Sequence, residues 1–495
     1  MGSRVFAITI LFSASLLSAN SHTNTSEAPH IVIVVADDLG WNDVGYNGSE
    51  IRTPALDQLA QSGIRLDRFY AHPYCSPTRS ALMTGQSPLR NGILRPINKH
   101  AKLGLPLDRT LLSQHFQNAG YRTHLIGKWH LGHATREQLP NARGFDEFYG
   151  FVTGGIGFWD KVHGGGYDWQ RDGKTVRDDT YSTHLITKEA VRVIQKQPDT
   201  NKPLFMMANF NAPHLPNEAP PETIASYREI EDPRRRTHAA MVTELDTGVQ
   251  AIVDALQAAN IYDNTLILFL SDNGGLIPGP PRDLSRLMID RDGVPLGPGD
   301  PKPERLIEFM AINSNEGGSS NAPLLRGKGS VYEGGIRVPA LVSWPRQFKA
   351  RTIEAMITVE DVLPTLLKLA GLNFSNVDLE TLDGADQSAL LQDKGATAAH
   401  TYVAIGNDGQ TFIDWPWKLL IPSRASPLLF NLDEDPTEQT NLATQSPETV
   451  TRLQQAFNKV PRGKPIAAGM SPEFIWDPDF FGGKEDRLPW ADLIQ

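Results

Sequence analysis

The chain has 495 residues, 40% of them hydrophobic, enough to bury a large core in one big domain or in a big and a small one. A formal net charge of −10 without a polybasic tract argues against nucleic acid as a partner, and any anion site has to be built locally from a few converging cations. A single cysteine rules out an intramolecular disulfide.

The N-terminus reads as a signal peptide over 1–21. Arg4 supplies the positive charge, 5–17 are mostly apolar, and Leu17-Ser18-Ala19 offers small residues for cleavage. The apolar run is short and broken by serines, which disfavours a membrane anchor, and no other span approaches membrane length. Export without disulfides points to a bacterial periplasmic or secreted protein, with no membrane span left after cleavage.

The largely β-branched run 31–36 predicts a strand buried on both faces, ending in Asp37-Asp38-Leu39-Gly40. Thr53-Pro54 then reads as a helix start. Strand-like runs follow at 121–126, 204–210 and 265–270. They lead into Gly127-Lys128-Trp129-His130, Asn211-Ala212-Pro213-His214 and Ser271-Asp272-Asn273-Gly274. Amphipathic helices, such as 240–258, fill the gaps. Four apolar strands ending in polar clusters predict an α/β domain over 22–398, with its active edge at the strands' C-terminal ends. Short strands at 401–405, 417–421 and 428–432 and a helix at 447–460 predict a small α+β subdomain over 399–495. The glycine-rich stretch 154–166 and the long Pro/Gly-rich stretch 276–320 read as loops that shape access to the active edge.

Candidate chemistry starts at Cys75-Ser76-Pro77-Thr78-Arg79. With Ser76 as N-cap and Pro77 at the first helical position, residue 75 is expected at a helix N-terminus, where N–H groups and the macrodipole favour an anion. A buried structural thiol is the bland alternative. Asp37, Asp38, Asp272 and Asn273 are hard oxygen donors at two strand ends and suit Ca²⁺ or Mg²⁺ better than zinc, although a helix cap alone also explains Asp-Asp. Arg79, Lys128, His130, His214 and Lys328 can converge on a tetrahedral anionic centre. Arg326 and Arg337 flank Lys328 and read as structural, pairing with Glu333. His100, Trp159, His163 and Trp169 are the candidates for sugar contacts, since aromatic rings stack on sugar faces.

Cys-x-Pro-x-Arg resembles the type I sulfatase signature. So do Gly-Lys-Trp-His-Leu-Gly at 127–132, Ala-Pro-His-Leu-Pro at 212–216 and Leu-Arg-Gly-Lys-Gly-Ser-Val-Tyr-Glu-Gly-Gly-Ile-Arg-Val-Pro at 325–339, in that family's order. Segments 40–46, 51–54 and 121–132 look like the arylsulfatase B branch. The resemblance implies the alkaline phosphatase-like α/β fold: a large mixed sheet sandwiched by helices, plus a small C-terminal sheet. It implies that a formylglycine-generating maturation system oxidises Cys75 to formylglycine. It further implies that Asp37, Asp38, Asp272 and Asn273, with the oxidised residue 75, hold one Ca²⁺.

The implied reaction is calcium-dependent hydrolysis of sulfate esters on a sulfated polysaccharide or oligosaccharide, whether glycosaminoglycan or algal. In it Asp272 assists attack on sulfur, and Lys328 and His214 bind sulfate and protonate the departing oxygen. Arg79 and Lys128 hold the hydrate, and His130 deprotonates its second hydroxyl. Met83-Thr84-Gly85-Gln86 departs from the family's usual Leu-Thr-Gly-Arg, which bears on how efficiently Cys75 is converted. Two rivals stand beside this reading: a phosphodiesterase or phosphonate monoester hydrolase on the same scaffold, and a non-catalytic glycan-binding protein with an unconverted Cys75.

Overall fold

The computed structural model describes residue 2 and residues 28–98, 101–162, 166–278, 317–372, 381–393 and 401–466. The expected signal peptide, most of the 276–320 loop, His100 and His163 lie outside these residues.

The run anticipated at 31–36 forms β1 (His30–Ala36), buried at every position. Side chains alternate across it: Ile31, Ile33 and Val35 enter one core, Val32, Val34 and Ala36 the other, so helices cover both faces of the sheet. The main sheet also contains β2 (Ile64–Leu66), β4 (Arg122–Lys128), β5 (Glu147–Phe151), β6 (Gln170–Arg171), β7 (Lys174–Thr175), β8 (Leu204–Asn209), β9 (Thr265–Ser271), β10 (Ala340–Ser343) and β11 (Arg351–Ile353). Its ten strands run in the order β11-β2-β10-β9-β1-β8-β4-β5-β6-β7. A separate two-stranded pair joins β3 (Phe69–Tyr70) to β12 (Ile357–Thr358).

The four strands anticipated from sequence are adjacent and mutually parallel: β9, β1, β8 and β4. Their register places the site. Ala36 pairs with Ser271, so Asp37 and Asp272 leave the sheet side by side. Val35 and Gly127 both pair with Asn209, which brings Lys128 to the same edge. β10, absent from the sequence reading, runs antiparallel to β9 and makes the sheet mixed. The long helix starts earlier than anticipated, spanning Pro233–Ala258, because the Asp232 side chain caps it by accepting from the Arg234 N–H.

The C-terminal sheet has four antiparallel strands: β13 (Thr401–Ile405), β14 (Gly409–Asp414), β15 (Trp417–Pro422) and β16 (Leu428–Asn431). The helix Pro447–Asn458 covers one face through Leu453 and Phe457. The other face packs on Val331, Tyr332 and Ile336, in the segment that carries Lys328. A buried ionic cluster fastens this contact. Lys418 Nζ lies 2.9 Å from Glu333 Oε1 and 2.7 Å from Glu438 Oε1, and Tyr70 donates to Glu333 Oε2 at 2.8 Å. The expected pairing with Glu333 is corrected for Arg326 and is present, though long, for Arg337. Arg326 pairs with Asp408 at 3.2 Å; Arg337 pairs with Asp67 at 2.7 Å and only grazes Glu333 at 4.0 Å. Lys418, supplied by a distant strand, has taken the carboxylate.

Burial, and then the charge of Glu333, push Glu438 up to about 7 against the pull of Lys418. Its folded pKa exceeds the unfolded one, so its contribution to stability is complete at low pH and is lost as pH rises toward 7. The expected result is a melting temperature that falls between about pH 4.5 and 7, with a smaller fall in Glu438→Gln. Identical slopes in both proteins would exclude this role.

Candidate active site

Cys75 is itself the first residue of the helix Cys75–Thr84, after Tyr74 in extended backbone. The expectation that Ser76 caps this helix is corrected: Ser76 is the second residue. Its Oγ donates to the His130 carbonyl at 2.9 Å and accepts from the Ile97 N–H at 3.0 Å. The hydroxyl ties this helix to the segment beyond β4. Pro77, expected at the first helical position, is the third residue and has no N–H, and the Thr78 N–H donates to the Tyr74 carbonyl at 3.2 Å, so the N–H groups of Cys75 and Ser76 are those that can serve an anion at residue 75.

His130 follows β4 with a left-handed φ of 59°, a conformation that costs on the order of 1–3 kcal/mol and is tolerated where neighbours over-determine it. Its Nδ1 lies 3.2 Å from Cys75 Sγ, and its Nε2 lies 2.9 Å from the Ile97 carbonyl. A carbonyl only accepts, so Nε2 carries the proton and Nδ1 turns a lone pair toward residue 75. Burial, and then the charge of Lys128, hold the His130 pKa well below its ordinary value, so the ring is neutral. Gly154 leans on the ring: a Cβ there would stand 2.7 Å from Cε1.

The remaining predicted residues join the same network. Lys128 Nζ donates to Asp37 Oδ2 at 2.7 Å, both side chains being fully buried. Arg79 grips Asp272 Oδ2 through Nε at 2.9 Å and Nη2 at 2.8 Å, and donates to the Lys128 carbonyl at 3.2 Å. Asp38, with a φ of 70°, accepts from Lys328 at 2.6 Å and from Asn273 Nδ2 at 2.8 Å. His214 Nε2 lies 3.7 Å from Asp38 Oδ2, while its Nδ1 donates to the Leu215 carbonyl at 2.8 Å. All ten predicted site residues therefore meet at one edge of the sheet.

The charge balance depends on proximity. Burial alone would raise the Asp38 pKa, but Lys328 and His214 overcome it and hold the carboxyl well below the usual range. Asp272 is pushed up by burial and then by the charge of Asp37, against the pull of Arg79 and Lys128. Burial and the charge of Lys328 bring His214 down to about 3. Burial also raises the Cys75 thiol, so an unmodified cysteine here is not a thiolate at neutral pH.

The donor set fits a hard divalent cation. Asp37, Cys75 and Asp272 offer ligand atoms within 4.8 Å of one another. Asp37 Oδ1 and Asn273 Oδ1 are buried with no hydrogen-bond partner among the described residues. Two repelling carboxylates beside orphaned oxygens form an environment that a cation satisfies and that a zinc-type His/Cys set does not match.

The sugar-contact expectations divide. Trp159 is 40% exposed and leans on Tyr181, with centroids 5.0 Å apart. Trp169 is corrected to a core residue: it is fully buried, edge-on to Tyr149 and stacked on Phe151. Burying so large an apolar surface outweighs any gain from leaving it at a rim. Sequence reasoning missed the Ile97 carbonyl and the Ser76 hydroxyl that set His130. A backbone acceptor leaves no residue signal.

The comparisons with known proteins agree with this geometry. The sulfatase family model matches residues 29–372. Arylsulfatase J of Mus musculus is 30% identical over 505 residues, covering 88% of this chain and 77% of that protein. N-acetylgalactosamine-6-sulfatase of Mus musculus is 33% identical over 388 residues, covering 73% and 66%. The solved structure of Ps i-CgsB superimposes with a TM-score of 0.77 at 30% identity, covering 91% of this chain and 97% of that one. The same protein is also solved in complex with k-i-k-neocarrahexaose. This chain belongs to the sulfatase family and is a sulfuric ester hydrolase.

Proposed function

We propose that this protein removes sulfate from a sulfated polysaccharide or oligosaccharide, using one Ca²⁺ and a formylglycine made from Cys75 by a maturation partner. The observation that carries the mechanism is the neutral His130 Nδ1 held 3.2 Å from residue 75. The likeness to Ps i-CgsB, solved with a neocarrahexaose, supports a carbohydrate substrate.

As a hydrate, formylglycine supplies two hydroxyls on one carbon, one to attack sulfur and one whose deprotonation returns the aldehyde as sulfate leaves. His130 takes that second proton at Nδ1, and the Ile97 carbonyl holds the emerging positive ring. Asp37, Asp38, Asp272 and Asn273 would hold the cation, which would supply positive charge to stabilise the sulfate group. Arg79 and Lys128 hold Asp272 and Asp37 in place. Lys328 and His214 are the groups of this shell that a substrate reaches, with side chains 12% exposed against 0% for Lys128 and 3% for Arg79. Lys328 is charged throughout and is the standing donor to the departing sugar oxygen. His214 bears its proton on Nδ1 and becomes a donor at Nε2 only when a bound sulfate raises its pKa.

The signal-like pattern at 1–21 supports a periplasmic or secreted enzyme. No helix among the described residues is long and apolar enough to cross a membrane.

A screen of the matured protein against defined sulfated oligosaccharides, following which position is desulfated, tests the substrate. Turnover of matched phosphate esters above that of sulfate esters would favour the phosphoryl-transfer rival. Intact-protein mass spectrometry is expected to show residue 75 at the aldehyde mass, and a chain entirely in the thiol form would sink the mechanism. Chelation with EGTA is expected to abolish turnover, and added Ca²⁺ to restore it. Full activity in excess chelator would exclude a resident cation.

A further inference from the structure

Arg95 follows the Cys75–Thr84 helix in the chain and comes back to the mouth of the site. It is exposed, yet its guanidinium is fixed: Nη1 donates to Tyr74 Oη at 2.7 Å and Asn407 Oδ1 at 2.8 Å, and Nη2 donates to the Gly406 carbonyl at 3.1 Å. Its Cζ lies 5.3 Å from the centre of the Tyr74 ring. All three acceptors are neutral, and no carboxylate pairs with Arg95 among the described residues. Arg90, the arginine before it in the chain, is neutralised by Asp383, and Arg326 is neutralised by Asp408, the neighbour of Asn407. Asp408, the one carboxylate on the turn between β13 and β14, is already engaged by Ser330 Oγ at 2.7 Å and the Val331 N–H at 3.1 Å.

The groups that hold Arg95 also touch the catalytic segment. Tyr74 immediately precedes residue 75. A Cβ on Gly329, next to Lys328, would stand 2.9 Å from Asn407 Nδ2 and 3.2 Å from Tyr74 Oη. The Asn407 N–H donates to the Gly329 carbonyl at 2.7 Å. An uncompensated, pre-oriented guanidinium thus stands beside Lys328, in a chain whose overall charge of −10 repels polyanions.

We propose that Arg95 binds a second anionic group of the substrate, a sulfate or a carboxylate on the sugar chain beyond the scissile sulfate, and so makes the enzyme selective for polyanionic oligosaccharides. A planar guanidinium recognises either group bidentately, and neutral holders leave its charge for the ligand. This proposal rests on the sulfatase reading given above and adds the recognition of a second charge.

The test compares wild type with Arg95→Gln on 4-nitrophenyl sulfate, which carries one anion, and on sulfated oligosaccharides that carry several. The expected result is a loss of about tenfold or more in kcat/KM on the oligosaccharides, mainly through KM, with less than about twofold change on the aryl sulfate. Arg95→Lys is expected to recover part of the loss. For wild type, KM on the polyanion rises with ionic strength, and in Arg95→Gln this dependence flattens. Oligosaccharides matched except for one extra sulfate, and uronate-containing ones with the carboxylate reduced, identify which anion Arg95 meets. Equal losses on aryl sulfate and oligosaccharide would mean that Arg95 acts only by positioning Tyr74 or Lys328, and would overturn the proposal. So would an unchanged preference, or a loss that follows neither anion. If wild type itself turned over neither probe, the sulfatase reading would fall instead.

Discussion

Replacing Cys75 by alanine is expected to lower turnover of 4-nitrophenyl sulfate by on the order of 10⁴-fold or more while leaving the fold in place. Residue 75 is 2% exposed, and alanine removes only a sulfur from a helix that tolerates alanine well, so the loss reflects chemistry. Circular dichroism and the melting temperature serve as the check on folding. The substitution removes every hydroxyl that the proposed formylglycine would offer, and the other nine site residues have no group positioned to replace it. Substantial residual turnover would mean that a water activated by the surrounding carboxylates does the work, and the covalent route would be abandoned. A non-catalytic glycan-binding protein would have no turnover to lose. Because burial holds the thiol protonated, protein with an unconverted Cys75 is expected to be as inactive as the alanine variant. Activity across preparations should therefore scale with the aldehyde fraction measured by mass spectrometry. Gln86 gives that measurement its purpose, since it stands in the stretch where the maturation signal departs from the family's usual form.

Lys418→Met carries the largest expected effect on stability, about 3–5 kcal/mol, read from urea unfolding. Lys418, Glu333 and Glu438 are all buried, and methionine preserves the length while removing the charge. Glu333 then keeps only Arg337 at 4.0 Å as a counter-ion, and Glu438, its pKa pushed up even with Lys418 present, is left buried beside it. Methionine with Glu333→Gln and Glu438→Gln is expected to recover most of the loss, because the penalty comes from the stranded charges. A loss below about 1 kcal/mol in the single variant would mean that water reaches the cluster. Activity should fall as well, since Glu333 belongs to the segment that carries Lys328 and Tyr332. A variant that unfolds readily yet keeps full kcat at low temperature would show that the C-terminal sheet stabilises the chain without setting the site.

The parts of this protein legible in sequence are those where chemistry and local geometry coincide. β1, β8 and β9 are nearly continuous apolar runs suited to burial on both faces, β4 is more mixed (Arg122–Lys128), and each leads into the residues it positions. The motifs around Cys75, Lys128 and Asp272 place charged groups at strand ends or a helix start, while His214 and Lys328 lie on loops and are marked by their motifs alone. Where a segment is short or its environment distant, this logic stops. β6 and β7 have two residues each and no period to detect. β14 begins at Gly409, hidden behind a turn. Trp169 and Trp159 are the same residue type in the same stretch, yet one is core and one is exposed, because burial depends on which strands lie opposite.

By itself, then, the sequence determined the sheet-edge site, the residue types that meet there and the family. Those follow from local patterns of apolar runs and charged strand ends. Only the tertiary structure decided how these residues divide their partners: His130 takes its tautomer from the Ile97 carbonyl, Arg79 pairs with Asp272, and Lys418 pairs with Glu333 in place of Arg326. Arg95 is left unneutralised for the same reason. Hydrogen-bond and ion-pair partners are chosen by register and packing between segments tens to hundreds of residues apart, and no local spacing encodes that choice.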